Sequence, residues 1–218
     1  KIQNKIQNKI QNKIQNKMKN YYSEKETLEV GLDEAGRGCL AGHVFAAAVI
    51  WPRELENELD PKLNDSKKLS KKKRNELRKY IEENAIEFAV ASVSNYEIDE
   101  INILKASHKA MHRCIDKLNI EPELLLVDGN LFTNYIKTDG EIIEHVCIIK
   151  GDGKYSSIAA ASILAKTYHD EYIEGLLDEN PELEKYGWRT NMSYGTQKHM
   201  DAIKEFGLTE YHRKSFKI

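Results

Sequence analysis

The segment Leu124-Leu125-Leu126-Val127-Asp128 constrains the fold of this 218-residue chain more than any other. Four consecutive apolar residues are too few for a helix and read as a strand apolar on both faces. Such a strand belongs inside a sheet covered by helices on either side, so the chain is expected to be an α/β domain. The run ends on a carboxylate followed by Gly129, and that ending returns below.

The neighbouring segments agree with a layered sheet. Residues 28–33 predict a first strand, 44–51 a second that Pro52 stops, 86–94 a third, and 142–149 a fifth after 124–128. A helix is predicted over 70–84, with Ser70 as N-cap, and another over 98–118, where Ile101, Leu104, His108, Met111, Ile115 and Leu118 share a face. A long helix over 156–177 opens with the small residues Ala159 to Ser162. A last one over 197–206 lies between Thr196 as cap and Gly207 as stop. The expected architecture is a mixed sheet, with a short hairpin-like link between the first two strands and helices between the later ones.

Charge restricts what such a domain can bind. The formal net charge is −2, but residues 1–17 carry Lys1, Lys5, Lys9, Lys13 and Lys17 and no acid. The remainder is therefore clearly acidic, and a generally basic surface for a polyanion is excluded; local clusters or metal ions would have to serve. Residues 1–16 are four copies of Lys-Ile-Gln-Asn. A period of four is too short for a solenoid unit, so 1–17 is read as a low-complexity extension without a catalytic part and 18–218 as the domain. No run approaches the ~20 apolar residues of a membrane span. Cys39, Cys114 and Cys147 are odd in number and far apart, which argues for a reducing, cytoplasmic setting. Cys39 reads as a small buried residue without a base partner.

Three acidic positions end apolar strands or abut them: Asp33-Glu34, Asp128, and Asp152 after Ile148-Ile149-Lys150-Gly151. An Asp before Gly is often only a turn residue. Three together point to a metal site, because buried carboxylates repel unless a cation lies between them. All-oxygen ligands favour magnesium or manganese, and two such ions suit in-line phosphoryl transfer. Two residues on, Gly36-Arg37-Gly38 can let backbone approach a ligand, with Arg37 able to fork onto phosphate.

These residues carry a resemblance. Gly31-Leu32-Asp33-Glu34-Ala35-Gly36-Arg37-Gly38-Cys39-Leu40-Ala41-Gly42 resembles the opening motif of ribonuclease HII, the type 2 ribonuclease H. Further matching segments follow in order: Asn64 to Ser70, Val127-Asp128-Gly129, Lys150-Gly151-Asp152, Ser157 to Lys166, Tyr194 to His199, and His212 to Phe216. The resemblance implies a ribonuclease H-like mixed five-stranded sheet flanked by helices, with additional C-terminal helices. It implies cleavage of RNA in RNA–DNA hybrids, and incision 5′ of single ribonucleotides in duplex DNA that leaves 3′-hydroxyl and 5′-phosphate ends. Its four catalytic, metal-holding carboxylates fall on Asp33, Glu34, Asp128 and Asp152, with two Mg2+ or Mn2+ ions as cofactor. Its 2′-hydroxyl-sensing turn falls on Gly36, Arg37 and Gly38, its stacking tyrosine on Tyr194, and a phosphate-contacting lysine on Lys67. A monomer is expected.

Other residues read more blandly. Lys72 and Lys73 suit a solvated helix face, and Trp51 and Trp188 suit packing. His199 is either a support or phosphate ligand at the site or an ordinary helix-face histidine. His43 stands where many relatives have proline, and Tyr155 is a bulky neighbour of Asp152.

Overall fold

The computed structural model describes residues 18–54, 63, 66 and 69–217. The repeat and Lys67 lie outside the described residues. Five strands form one sheet: β1 (Glu29–Ala35), β2 (Val44–Ile50), β3 (Glu87–Val93), β4 (Leu124–Asp128) and β5 (Glu144–Ile148). The spatial order is β3-β2-β1-β4-β5. β1 runs antiparallel to β2 and parallel to β4; β2–β3 is antiparallel and β4–β5 parallel. The expected mixed five-stranded α/β sheet is therefore present.

Strand alternation divides the core in two. On one face Val30, Leu32, Val44, Ala46, Leu125 and Val127 meet Ala106, Ala110, Met111 and Cys114. These last four come from α3 (Ile103–Ile115), which follows α2 (Asn95–Ile101); α1 (Lys71–Asn84) precedes β3. On the other face Ala35, Ala47 and Val49 meet Ala159, Ala160, Ile163 and Leu164 of α4 (Ser156–Glu179). The small residues let α4 lie directly on the sheet. A Cβ at Gly31 would stand 2.3 Å from the Ser157 backbone, so only glycine admits this approach. Ser70 caps α1 by accepting from the Lys73 amide, and Thr196 caps α6 (Gln197–Phe206) by accepting from His199. The four-residue α5 (Trp188–Asn191) lies between α4 and α6.

Three expectations need correction. The helix expected over 98–118 is two helices. Ser94 and Glu97 form a reciprocal capping box that starts α2 early. Asn102, at φ 70°, then breaks the run and caps α3 through the Lys105 amide. The first two strands are joined by the loop 36–43 rather than by a tight hairpin, and this loop is pinned from outside: Leu40 N–H donates to Ser193 O (2.8 Å) and Gly42 N–H to Tyr211 O (2.9 Å). Tyr155 does not crowd the carboxylates. It packs among Leu124, Leu126, Ile148 and Ile158 and against the Tyr22 ring.

Candidate active site

The register of β1 and β4 brings the first two acidic positions together. Leu32 pairs with Val127 on the last rung, so Asp33 and Asp128 are the next residues on adjacent parallel strands, about 5 Å apart in strand spacing. Gly31 abuts α4, and alternation turns Asp33 to that same face. Asp33 is buried and receives the Glu34 amide at 2.7 Å and a hydrogen bond from Ser162. Burial, then Glu34, then Asp128 push its carboxyl well above the usual range. Two anions and a hydroxyl around a buried acid are the electrostatics of a site that lacks its counter-charge.

The other two carboxylates lie at the same sheet end. Glu34 is half-buried and pairs with Arg37 at 3.2 Å. Asp152 is buried in the 3-10 turn Gly151–Gly153, which leads into α4. That turn is tied to β4, because the Gly151 amide donates to Asp128 Oδ1 at 2.6 Å. Among the described residues no three acid, histidine or cysteine side chains already enclose a point fit for a metal ion. Glu34 and Asp128 act on Asp33 directly, and the Asp152 turn joins them through the Gly151 amide on Asp128. Their hard oxygens suit Mg2+ or Mn2+. Ser66 Oγ lies 2.9 Å from Ser162 Oγ, the hydroxyl that bonds Asp33.

The glycine turn adjoins these acids. Gly36 has φ 87°, and the His169 ring fills the space where its Cβ would be, with Cδ2 at 2.5 Å. Arg37 and Gly38 are exposed. A Cβ on Gly38 would stand 3.6 Å from Tyr194 Cε1, so the turn and the ring form one surface. Lys166, which pairs with Asp170 at 2.8 Å, stands 5.2 Å from the Tyr194 ring centroid.

Two supports lie beneath this surface, one that sequence reading missed and one that it left open. Cys39 does have a base partner: its Sγ is 3.5 Å from His169 Nε2, and His169 Nδ1 is 3.1 Å from Asp170 Oδ1. Burial alone would push the Cys39 thiol up, but His169 overcomes it and holds the thiol below its ordinary value. Cys39 and His169 are separated by 130 positions, so only the tertiary fold pairs them. The second support is His199, which is neither a phosphate ligand nor a surface residue. It is fully buried, and its Nδ1 lies 3.0 Å from Tyr194 O. Its Nε2 accepts from Trp188 Nε1 at 2.9 Å and lies 3.1 Å from His212 Nε2. His212 Nδ1 accepts from the Thr209 amide at 2.9 Å.

Those partners fix both tautomers. His212 carries its proton on Nε2 and His199 on Nδ1, and neither ring has room for a second. Burial, then the neighbouring His199, lowers His212 from 6.5 to about 4; burial also lowers His199. A histidine whose folded value lies below its unfolded one adds stability above the unfolded value and loses it as pH falls toward the folded one. The melting temperature is therefore expected to drop between pH 6.5 and 4. Thermal denaturation across that window checks this. His212→Phe should show a shallower dependence, and a slope as steep as wild type would contradict the assignment.

The carboxylate cluster, glycine turn and facing tyrosine fit the match found among known proteins. The ribonuclease HII family model matches residues 30–218. A ribonuclease HII of Bacteroides thetaiotaomicron is 54% identical over 197 residues, covering 90% of this chain and 93% of that protein. One from Parabacteroides distasonis is 56% identical, covering 90% and 94%. The ribonuclease HII in a PCNA complex from Archaeoglobus fulgidus is 26% identical with a TM-score of 0.68, covering 88% of this chain and 96% of that one. Bst-RNase HIII, solved in complex with Mn2+, shares the fold at 21% identity and a TM-score of 0.58, covering 82% and 62%. With the model match spanning nearly the whole described sheet and its helices, this chain belongs to the ribonuclease HII family.

Proposed function

We propose that this ribonuclease H, besides cleaving RNA in RNA–DNA hybrids, incises duplex DNA 5′ of a single embedded ribonucleotide and leaves 3′-hydroxyl and 5′-phosphate ends. The observation that carries this reading is the joint surface of Tyr194 and Gly38, the latter four and five residues along the chain from Glu34 and Asp33. A backbone turn can hydrogen-bond a ribose 2′-hydroxyl, which DNA lacks, while an aromatic ring accepts the face of the next deoxyribose. A DNA resolvase of similar fold would have no use for that pairing, and a silent hybrid-binding module would have no use for a buried Asp33 held beside Glu34 and Asp128.

Asp33, Glu34, Asp128 and Asp152 are the side chains that would hold a pair of Mg2+ or Mn2+ ions. Bound there, the ions would supply an activated water and counter-charge for the leaving 3′ oxygen. The chain's own part is positional. Ser162 and the Glu34 amide orient Asp33, and the Gly151 amide orients Asp128. Lys67 is proposed to contact the backbone phosphate; the preceding residue, Ser66, bonds Ser162, which also bonds Asp33. The chain is proposed to act as a monomer in the cytoplasm; its described helices include none long and apolar enough to cross a membrane. End-labelled RNA–DNA hybrid, incubated with Mg2+ and with EDTA, tests the chemistry. Products with 3′-hydroxyl and 5′-phosphate ends, absent with EDTA, are expected; 2′,3′-cyclic ends would refute it.

The repeat is proposed to be dispensable. Among the described residues, Met18 packs against the core beneath α4, the Lys19 carbonyl receives the Ser156 amide at the start of α4 (2.8 Å), and Asn20 Oδ1 receives the Ser156 hydroxyl (2.7 Å). Deleting residues 1–17 should leave kcat within a few-fold of the full chain, while affinity at low salt falls because five lysines no longer displace counterions. A lost kcat at saturating substrate would contradict this.

A further inference from the structure

Arg213 is fully buried, yet its guanidinium is bonded to backbone carbonyls instead of a carboxylate. Nε donates to Gly42 O at 2.9 Å, Nη1 to Arg37 O at 3.0 Å and Nη2 to His43 O at 3.1 Å. Its own amide donates to Leu40 O at 2.8 Å. All four acceptors lie in residues 37–43, the loop that carries the glycine turn. A planar fork can hold three carbonyls at fixed angles, which a lysine cannot do.

The Arg37 carbonyl has a directional consequence. In a planar trans peptide the carbonyl of one residue and the amide of the next point in opposite directions. With Arg37 O turned in toward a buried guanidinium, the Gly38 N–H is turned outward. Gly38 is exposed, and among the described residues its amide has no acceptor. The neighbouring surface is the Tyr194 ring.

We propose that Arg213 is a positioning residue for ribose recognition: by holding the Arg37 carbonyl inward, it presents the Gly38 amide beside Tyr194 as the donor to the 2′-hydroxyl oxygen of the scissile nucleotide. The proposal rests on the single-ribonucleotide reading above and assigns its donor and the group that fixes it. Cys39 N–H donates to Gly36 O at 3.2 Å and closes the turn, and the His169 ring props Gly36 from below. Arg213 is what determines the orientation of the 37–38 peptide.

The test uses the full chain and a DNA duplex containing one ribonucleotide, with an all-DNA duplex of the same sequence as its partner. In EDTA, where the duplex stays intact, the amide resonance of Gly38 in 15N-labelled protein should shift with the ribonucleotide duplex and much less with all-DNA. In Mg2+, Arg213→Lys should lose about tenfold in kcat/KM on the ribonucleotide duplex, the scale of a lost or misdirected hydrogen bond. Its affinity for the all-DNA duplex should stay within about twofold, because phosphate contacts set nonspecific binding. Equal Gly38 shifts with both duplexes would overturn the proposal. So would a folded R213K with wild-type kcat/KM, or one that loses affinity for both duplexes alike. Should R213K fail to melt cooperatively, the amide comparison on wild type decides. If wild type itself does not distinguish ribose from deoxyribose in incision, the activity reading has failed. If it does and Gly38 is silent, the assignment to Arg213 has failed.

Discussion

Asp128→Asn will lower turnover by about a thousandfold, since removing one ligand charge from a metal site that stabilises the transition state forfeits several kcal/mol. Asp128 stands beside Asp33 at the ends of adjacent parallel strands and orients the Asp152 turn through the Gly151 amide. The asparagine keeps an oxygen for that amide, so fold and duplex binding should survive. Asp33→Asn should be as inactive and has a second signature. Asp33 is held well above its usual value by burial, Glu34 and Asp128. A carboxyl raised in the folded state costs stability once pH rises through its folded value. In EDTA at neutral pH, Asp33→Asn should therefore melt above wild type, and added Mg2+ should raise wild type but not the variant. Steady-state kinetics and melting curves with and without Mg2+ check both. Full activity of either variant, or a destabilised Asp33→Asn in EDTA, would contradict the account.

The second large effect falls on substrate choice. Tyr194→Ala should reduce kcat/KM on a single-ribonucleotide duplex by tenfold to a hundredfold, from stacking worth ~1–3 kcal/mol. On a long RNA–DNA hybrid the loss should be smaller, because there the next sugar is also a ribose. The ring is backed by Lys166 and pinned at its carbonyl by His199, so its position is fixed before substrate arrives. Parallel kinetics on the two substrates measure this. Equal losses would make Tyr194 a general binding residue, and no loss would make it surface packing.

Sequence reading succeeded where the signal is local. The apolar run 124–127 can only be a doubly covered strand, and a carboxylate at its end is visible as an interruption. Ser70 and Thr196 were legible as caps because capping needs only a hydroxyl three residues from an amide. The break at Asn102 was not legible, because Ile101 and Leu104 continue the apolar face on either side of it. Cys39–His169, His199–His212 and Arg213 with the loop 37–43 are long-range pairings. Each residue lay inside or beside a motif, but what it touches depends on how α4 and the C-terminal segment close on that loop. Asp33 and Asp128 were legible as neighbours because each follows an apolar run, and parallel strands bring such ends side by side whatever their sequence separation.

The central claim is that this chain reads one 2′-hydroxyl in a DNA duplex and cuts beside it with metal held by four carboxylates. The direct measurement is incision of a 5′-labelled duplex containing a single ribonucleotide, with an all-DNA duplex beside it, each in Mg2+ and in EDTA. The account predicts one cut, on the 5′ side of the ribonucleotide, in Mg2+ only, and no cut in the all-DNA duplex. An uncut ribonucleotide duplex in Mg2+ and Mn2+, cleavage of the all-DNA control, or cleavage that persists in EDTA would contradict it.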